Sequence, residues 1–133
     1  MIALRRPLAA LSVAFLLACG GDSTGPVAGT LKINFTTPNS GEDAGVLLLL
    51  TAPAVPVSAA AAAGLQLWGA PVTTTTAKLV VTGTLSTGTI ATLQVDDVNK
   101  VSQYSVSVQS VAAGSGGGFV LRPLSGYSTT ITK

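Results

Sequence analysis

Residues 30–36 set the pattern for much of the chain: Leu31, Ile33 and Phe35 alternate with Lys32, Asn34 and Thr36. A period of two sends successive side chains to opposite faces of an extended backbone, so this segment predicts a half-buried strand. The turn formers Pro38-Asn39-Ser40-Gly41 end it, and the acidic pair Glu42-Asp43 reads as part of the same loop. Residues 45–51 are apolar without alternation, which predicts a central strand covered on both faces; Pro53 and Pro56 then forbid a helix. Residues 58–63 carry five successive alanines. Alanine favours helix, yet one isolated turn is unstable and the surroundings look extended, which leaves strand or short helix open with strand preferred.

Alternation resumes at residues 65–68, with Leu65 and Leu67 opposite Gln66 and Trp68, and Gly69-Ala70-Pro71 interrupts it. Residues 77–83 predict another strand. In residues 89–95, Ala91, Leu93 and Val95 stand opposite Ile90, Thr92 and Gln94, and a turn at Asp96-Asp97-Val98-Asn99 follows. Residues 103–111 alternate clearly, with Tyr104, Val106 and Val108 facing one way and Ser105, Ser107 and Gln109 the other. A Gly-rich hairpin loop at 114–118 and extended pieces at 119–121 and 127–132 complete the chain. About eight short strands at this spacing predict an all-β fold, a single antiparallel β-sandwich over residues 29–133. The lack of crossover helices excludes a parallel α/β architecture.

The first 28 residues follow a different logic. Arg5 and Arg6 precede an apolar stretch that reaches Leu17, then come small Ala18 and the only cysteine, Cys19. Charged, apolar and small-residue regions in that order are those of a secretory leader, helical over residues 1–18, and about a dozen apolar residues fall short of the roughly 20 that span a bilayer. The run Leu16-Leu17-Ala18-Cys19 resembles the lipobox of bacterial lipoprotein precursors, with Leu17 standing where that family usually carries a small residue. The resemblance implies diacylglycerol transfer to the Cys19 sulfur, cleavage before Cys19, and a stable anchor, because each buried methylene adds about 0.8 kcal/mol. Gly20, standing where an Asp would resemble an inner-membrane retention signal, points to the outer membrane in a two-membrane cell. The alternative for Cys19 is a buried core thiol, but a Gly-Gly-Asp-Ser-Thr-Gly-Pro coil does not continue a core helix. Residues 19–28 read as the lipidated cysteine and a flexible tether, whose nine residues after Cys19 would sample about 15–18 Å.

Removal of the leader changes the charge balance. Lys32, Lys78, Lys100, Arg122 and Lys133 then face Asp22, Glu42, Asp43, Asp96 and Asp97, five against five, and no basic cluster is present, so nucleic acid is excluded as a partner. One thiol allows no intrachain disulfide, so the fold must rest on its core, which a domain of about 100 residues can supply.

Candidate chemistry is sparse. Without histidine the chain lacks the commonest general base and metal ligand, and with Cys19 acylated no thiol nucleophile remains. No Gly-x-Ser-x-Gly elbow occurs in a strand-to-helix context. The expectation is a protein that is not an enzyme, with no catalytic residues and no cofactor; a small hydrolase using paired carboxylates is the least favoured alternative. Asp96, Asp97 and Asn99 are weak candidates for calcium, which needs six to eight oxygens; turn formers bonding their own backbone explain them better. Trp68, expected to point outward, is a weak candidate for stacking on a sugar or anchoring a protein, whereas Tyr104, Tyr127 and Phe119 read as core or strand-end packing.

From Gly45 to Ala113 the order of pieces is an apolar strand after a Gly-containing turn, a Leu-x-Leu strand, a Leu-Val-Val strand ending in Gly, and Tyr-Ser-Val-Ser-Val. This order resembles the cohesin-like branch of bacterial extracellular β-sandwiches, so the sandwich is expected to be of immunoglobulin-like or cohesin-like type. Cohesins bind a dockerin module through one sheet face; no interface residue of that family is matched here. The expected function is a lipid-anchored cell-envelope protein with a non-catalytic binding or structural module, its partners the membrane through Cys19 and an envelope protein or glycan. The alternative is a carbohydrate- or calcium-dependent recognition module.

Overall fold

The computed structural model describes residues 25–115 and 118–133. The leader, Cys19 and the first part of the tether lie outside the described residues. Among the described residues nine strands form two antiparallel sheets: β1 (Gly29–Thr36), β2 (Asp43–Thr51), β3 (Ser58–Ala61), β4 (Gln66–Pro71), β5 (Thr76–Leu85), β6 (Gly88–Val95), β7 (Ser105–Ser115), β8 (Gly118–Leu121) and β9 (Ser128–Thr132). One sheet runs β3-β6-β1-β9 and the other β4-β5-β2-β7-β8, so the chain crosses repeatedly between two layers of a single β-sandwich. The alanine-rich segment is the edge strand β3, paired with β6 from Ser58↔Gln94 to Ala61↔Ala91.

The core is the inner half of each alternation. Leu31, Ile33 and Phe35 of β1 meet Val46, Leu48 and Leu50 of β2, with Leu79, Val81, Leu93 and Val111 closing the layer. Each fully buried aliphatic side chain contributes about 1.5–3 kcal/mol relative to an exposed one, which lets this small domain stand without a disulfide.

Three β-bulges alter which residues reach that core. In the β1–β6 ladder the register passes from Ile33↔Ala91 to Asn34↔Thr89, so Ile90 is the extra residue. Ile90 and Ala91 are consequently both buried, which corrects the alternation that put Ile90 on the outer face with Thr92 and Gln94. In the β2–β7 ladder, Leu47↔Ser110 is followed by Leu48↔Val108, leaving Gln109 unpaired. The phase of β7 flips there, and Val111 and Ala113 turn inward behind Val108. The third bulge is at Ala44, between Asp43↔Ala113 and Gly45↔Ala112. Strict alternation from Val46 would point Asp43 outward, but the bulge turns it in, where it is 1% exposed. Asp43 is therefore the buried first residue of β2 and not a loop residue.

β2 is central, yet among the described residues it is covered on one face only. Val46, Leu48 and Leu50 are buried, whereas Leu47 and Leu49 are half-buried on the outer face, beside their ladder partners Val80 and Lys78. The unbroken apolar run thus marks a half-buried outer surface, with no second layer over it among the described residues.

Two further corrections concern the lower end of the sandwich. The predicted turn at residues 96–99 leads into a short 3-10 helix, Val98–Gln103, whose N-cap Asp97 accepts from the Asn99 amide. The tether does not stay free to Ala28: the Val98 amide donates to the Val27 carbonyl at 2.8 Å, and the Val27 amide donates to Asp97 Oδ1 at 3.2 Å. The chain is clamped to the domain from Val27 onward.

Candidate functional site

The densest polar cluster lies where β2 begins. Asp43 accepts from Arg122 Nε at 2.8 Å and Tyr127 Oη at 2.9 Å on Oδ1, and from the Thr37 hydroxyl on Oδ2. Asn39 Nδ2 donates to Tyr127 Oη at 2.9 Å, and the Asn39 amide donates to Thr37 Oγ1 at 2.8 Å. A carboxylate removed from water is costly unless paired and hydrogen-bonded, and here both oxygens are occupied. Local structure delivers each partner. Gly126, at φ 86°, sits in a turn closed by the Tyr127 amide on the Leu124 carbonyl at 3.1 Å, a left-handed position that glycine takes without steric cost. That turn swings Tyr127 under the sheet, its ring stacked on Phe35 with centroids 5.9 Å apart. The Arg122 amide donates to the Val111 carbonyl at 2.8 Å, holding the end of β8 against β7. With three hydrogen bonds from inside the protein spread over both carboxylate oxygens, this cluster has the form of a structural latch tying the β8–β9 segment to the start of β2.

The second acidic pair stands apart from the first. Asp97 is engaged as helix cap and as clamp of Val27, Asn99 Oδ1 accepts from Lys133 Nζ at 3.2 Å, and Asp96 is exposed. Burial first, then the neighbouring Asp96 and Asp97 charges, raise the Tyr104 phenol above its ordinary value of 10.0. Among the described residues no three His, Cys, Asp or Glu side chains gather as a metal site, and no helix is long and apolar enough to cross a membrane.

The other distinctive surface is the outer face of the five-stranded sheet. Ladder partners share a face, so Trp68, Val80, Leu47 and Ser110 form one row across β4, β5, β2 and β7, and Thr82, Gly45, Ala112 and Leu121 form the next. Trp68 points outward as expected and is 55% exposed. An apolar depression of about 240 Å³ lies further along the same face, bordered by Leu47, Val80, Thr82, Ala112, Phe119 and Leu121. Phe119 corrects the packing reading: it is 75% exposed, and Leu121 beside it 73%.

The structure does not bring Trp68 together with Asp96, Asp97 or Asn99; the tryptophan stands on a sheet face and the acidic residues beside the 3-10 helix. Sequence reasoning missed the partnership of Asp43 with Arg122 and Tyr127, separated by 79 and 84 residues, for which no local spacing gives a signal. It also missed the apolar outer surface, although the uninterrupted run at residues 46–50 was its trace. Comparison with protein-family models, with curated proteins and with solved structures returned no match.

Proposed function

We propose that this protein is a lipid-anchored component of a bacterial cell envelope whose sandwich domain is a non-catalytic binding or structural module. The observation that carries the reading is Cys19 at the close of Leu16-Leu17-Ala18, after a charged and then apolar leader and before a Gly- and Ser-rich stretch. The resemblance to lipoprotein precursors implies acylation at Cys19, and Gly20 after it implies the outer membrane where there is one. Seven residues separate Cys19 from the clamped Val27, and a linker of that length and composition spans about 13–16 Å, which keeps the domain close to the surface that holds it.

The latch supports a structural reading of the acidic residues. A hydrolytic carboxylate needs access to substrate and water, and Asp43 is turned inward with both oxygens occupied. Inhibition of the lipoprotein signal peptidase by globomycin is expected to accumulate the uncleaved chain, and Cys19→Ala is expected to abolish labelling by a radioactive fatty acid. Lipid labelling that persists in the alanine variant would overturn the anchor.

A second reading, recognition of a glycan, is favoured by one observation: the exposed indole of Trp68 on an open sheet face beside Val80 and Leu47. It predicts quenching or a blue shift of the single-tryptophan fluorescence on titration with envelope polysaccharide, and loss of binding in Trp68→Ala.

A further inference from the structure

Each sheet edge exposes unpaired backbone groups, and natural proteins guard such edges with charge, proline or brevity. In this sandwich β4 ends on Pro71, β9 is followed directly by Lys133, and β3 is a four-residue edge of serine and alanine. The fourth edge, β8, is as short as β3 and is followed by Arg122 and Pro123 as β9 is by Lys133, but unlike those two its own residues, Gly118-Phe119-Val120-Leu121, put large apolar side chains on the edge. Its three side chains are 75%, 59% and 73% exposed. Three adjacent large apolar residues on an unpaired edge form a template for another strand.

We infer that β8 pairs antiparallel with β8 of a second copy of this chain, joining two five-stranded sheets edge to edge. An antiparallel strand pair has a two-fold axis normal to the sheet, so one β8 can complete another, and Phe119 of each copy then falls on the same outer face as Leu121 of its mate. Charge does not oppose the approach. Arg122, the first charged residue after β8, is held by Asp43, and the five cations and five anions from Cys19 onward cancel. The size of the contact fixes its strength. With about 150–250 Å² for an aromatic side chain, Phe119, Val120 and Leu121 together offer roughly 300 Å² per copy, well below the ~800 Å² per partner of a free-standing interface. The pair is therefore weak in dilute solution and forms where copies share one surface at high effective concentration. For that strength, though not for the geometry, the inference rests on the anchor at Cys19.

The test is disulfide trapping of the full chain in its envelope. Single cysteines replace Phe119, Val120 or Leu121, with Val72→Cys, at a 53% exposed site, as control. Cα atoms of facing residues in an antiparallel pair lie about 4.5–5.5 Å apart, within disulfide reach. Mild oxidation is expected to give a reductant-sensitive species of twice the monomer mass from at least one β8 variant and none from Val72→Cys. Adding Phe119→Lys and Leu121→Lys to the Val120→Cys chain is expected to lower the yield at least tenfold with an unchanged circular dichroism spectrum. No dimer from any β8 variant, equal yield from the control, or cross-linking to a different polypeptide would overturn the pairing. Failure of the anchor reads out separately, as maleimide labelling of Cys19 in the parent chain. The β8 variants are then tested in the Cys19→Ala background at raised protein concentration, where dimer supports the edge pairing and its absence overturns it.

Discussion

Tyr127 Oη donates a 2.9 Å hydrogen bond to Asp43 Oδ1 across 84 residues of chain, joining the turn before the last strand to the first residue of β2. The carboxylate is buried only because the Ala44 bulge turns it inward, so the bond couples a backbone irregularity to the closure of the sandwich. Tyr127→Phe keeps the ring on Phe35 and deletes one donor to a buried charge, at an expected cost of about 1.5–3 kcal/mol in urea unfolding. Asp43→Ala strands Arg122 and removes three hydrogen bonds. Because Arg122 stays a quarter exposed, its expected cost is near 3 kcal/mol, the lower end for a broken buried pair. Equal stability of Tyr127→Phe and the parent chain would remove the latch from the account.

The bulge at Ile90 makes a separate prediction. Ile90→Ala empties a site in the core and is expected to cost about 2–5 kcal/mol, whereas Thr92→Ala on the outer face is expected to cost less than about 1 kcal/mol. For a domain of this size the first corresponds to a melting temperature lower by roughly 10 °C or more. Similar losses at the two positions would mean that both share a face, as strict alternation requires.

Tyr104 makes stability depend on pH in the alkaline range. Its pKa is raised from 10.0 by burial and then by Asp96 and Asp97, so the fold favours the neutral phenol. The associated stability is fully present below the unfolded value near 10 and is lost as pH rises through the higher folded value. In a Tyr127→Phe background, the tyrosinate absorbance near 295 nm is expected to titrate above pH 10, and Asp96→Asn is expected to move it part of the way back. Titration at or below pH 10 would contradict the assignment.

The fold was legible where period-two alternation was strict. β1 could be read from Leu31, Ile33 and Phe35, and the sandwich from the count of strands and turns. What escaped was governed by register and long-range pairing. A bulge changes the phase of a strand without changing its composition, which is why Ile90 was set on the wrong side and why Asp43, next to turn formers, read as loop and not as the inward first residue of β2. In β7 the irregular spacing of Val106, Val108, Val111 and Ala113 did carry the trace of a bulge. Trp68 was placed correctly because β4 is regular. Phe119 was not, because an aromatic on an edge strand and one in a core look alike until the neighbouring strands are known. The partners of Asp43 are assembled from three separate segments, and no local rule connects them.

The central claim concerns the sulfur of Cys19, and the mass of the amino-terminal tryptic peptide of protein taken from its native envelope tests it most directly. Cleavage before Cys19 and after Lys32 gives residues 19–32. The account predicts that this peptide carries a diacylglyceryl thioether on Cys19. The same peptide with a free thiol, or a chain that still begins with its leader, would contradict it.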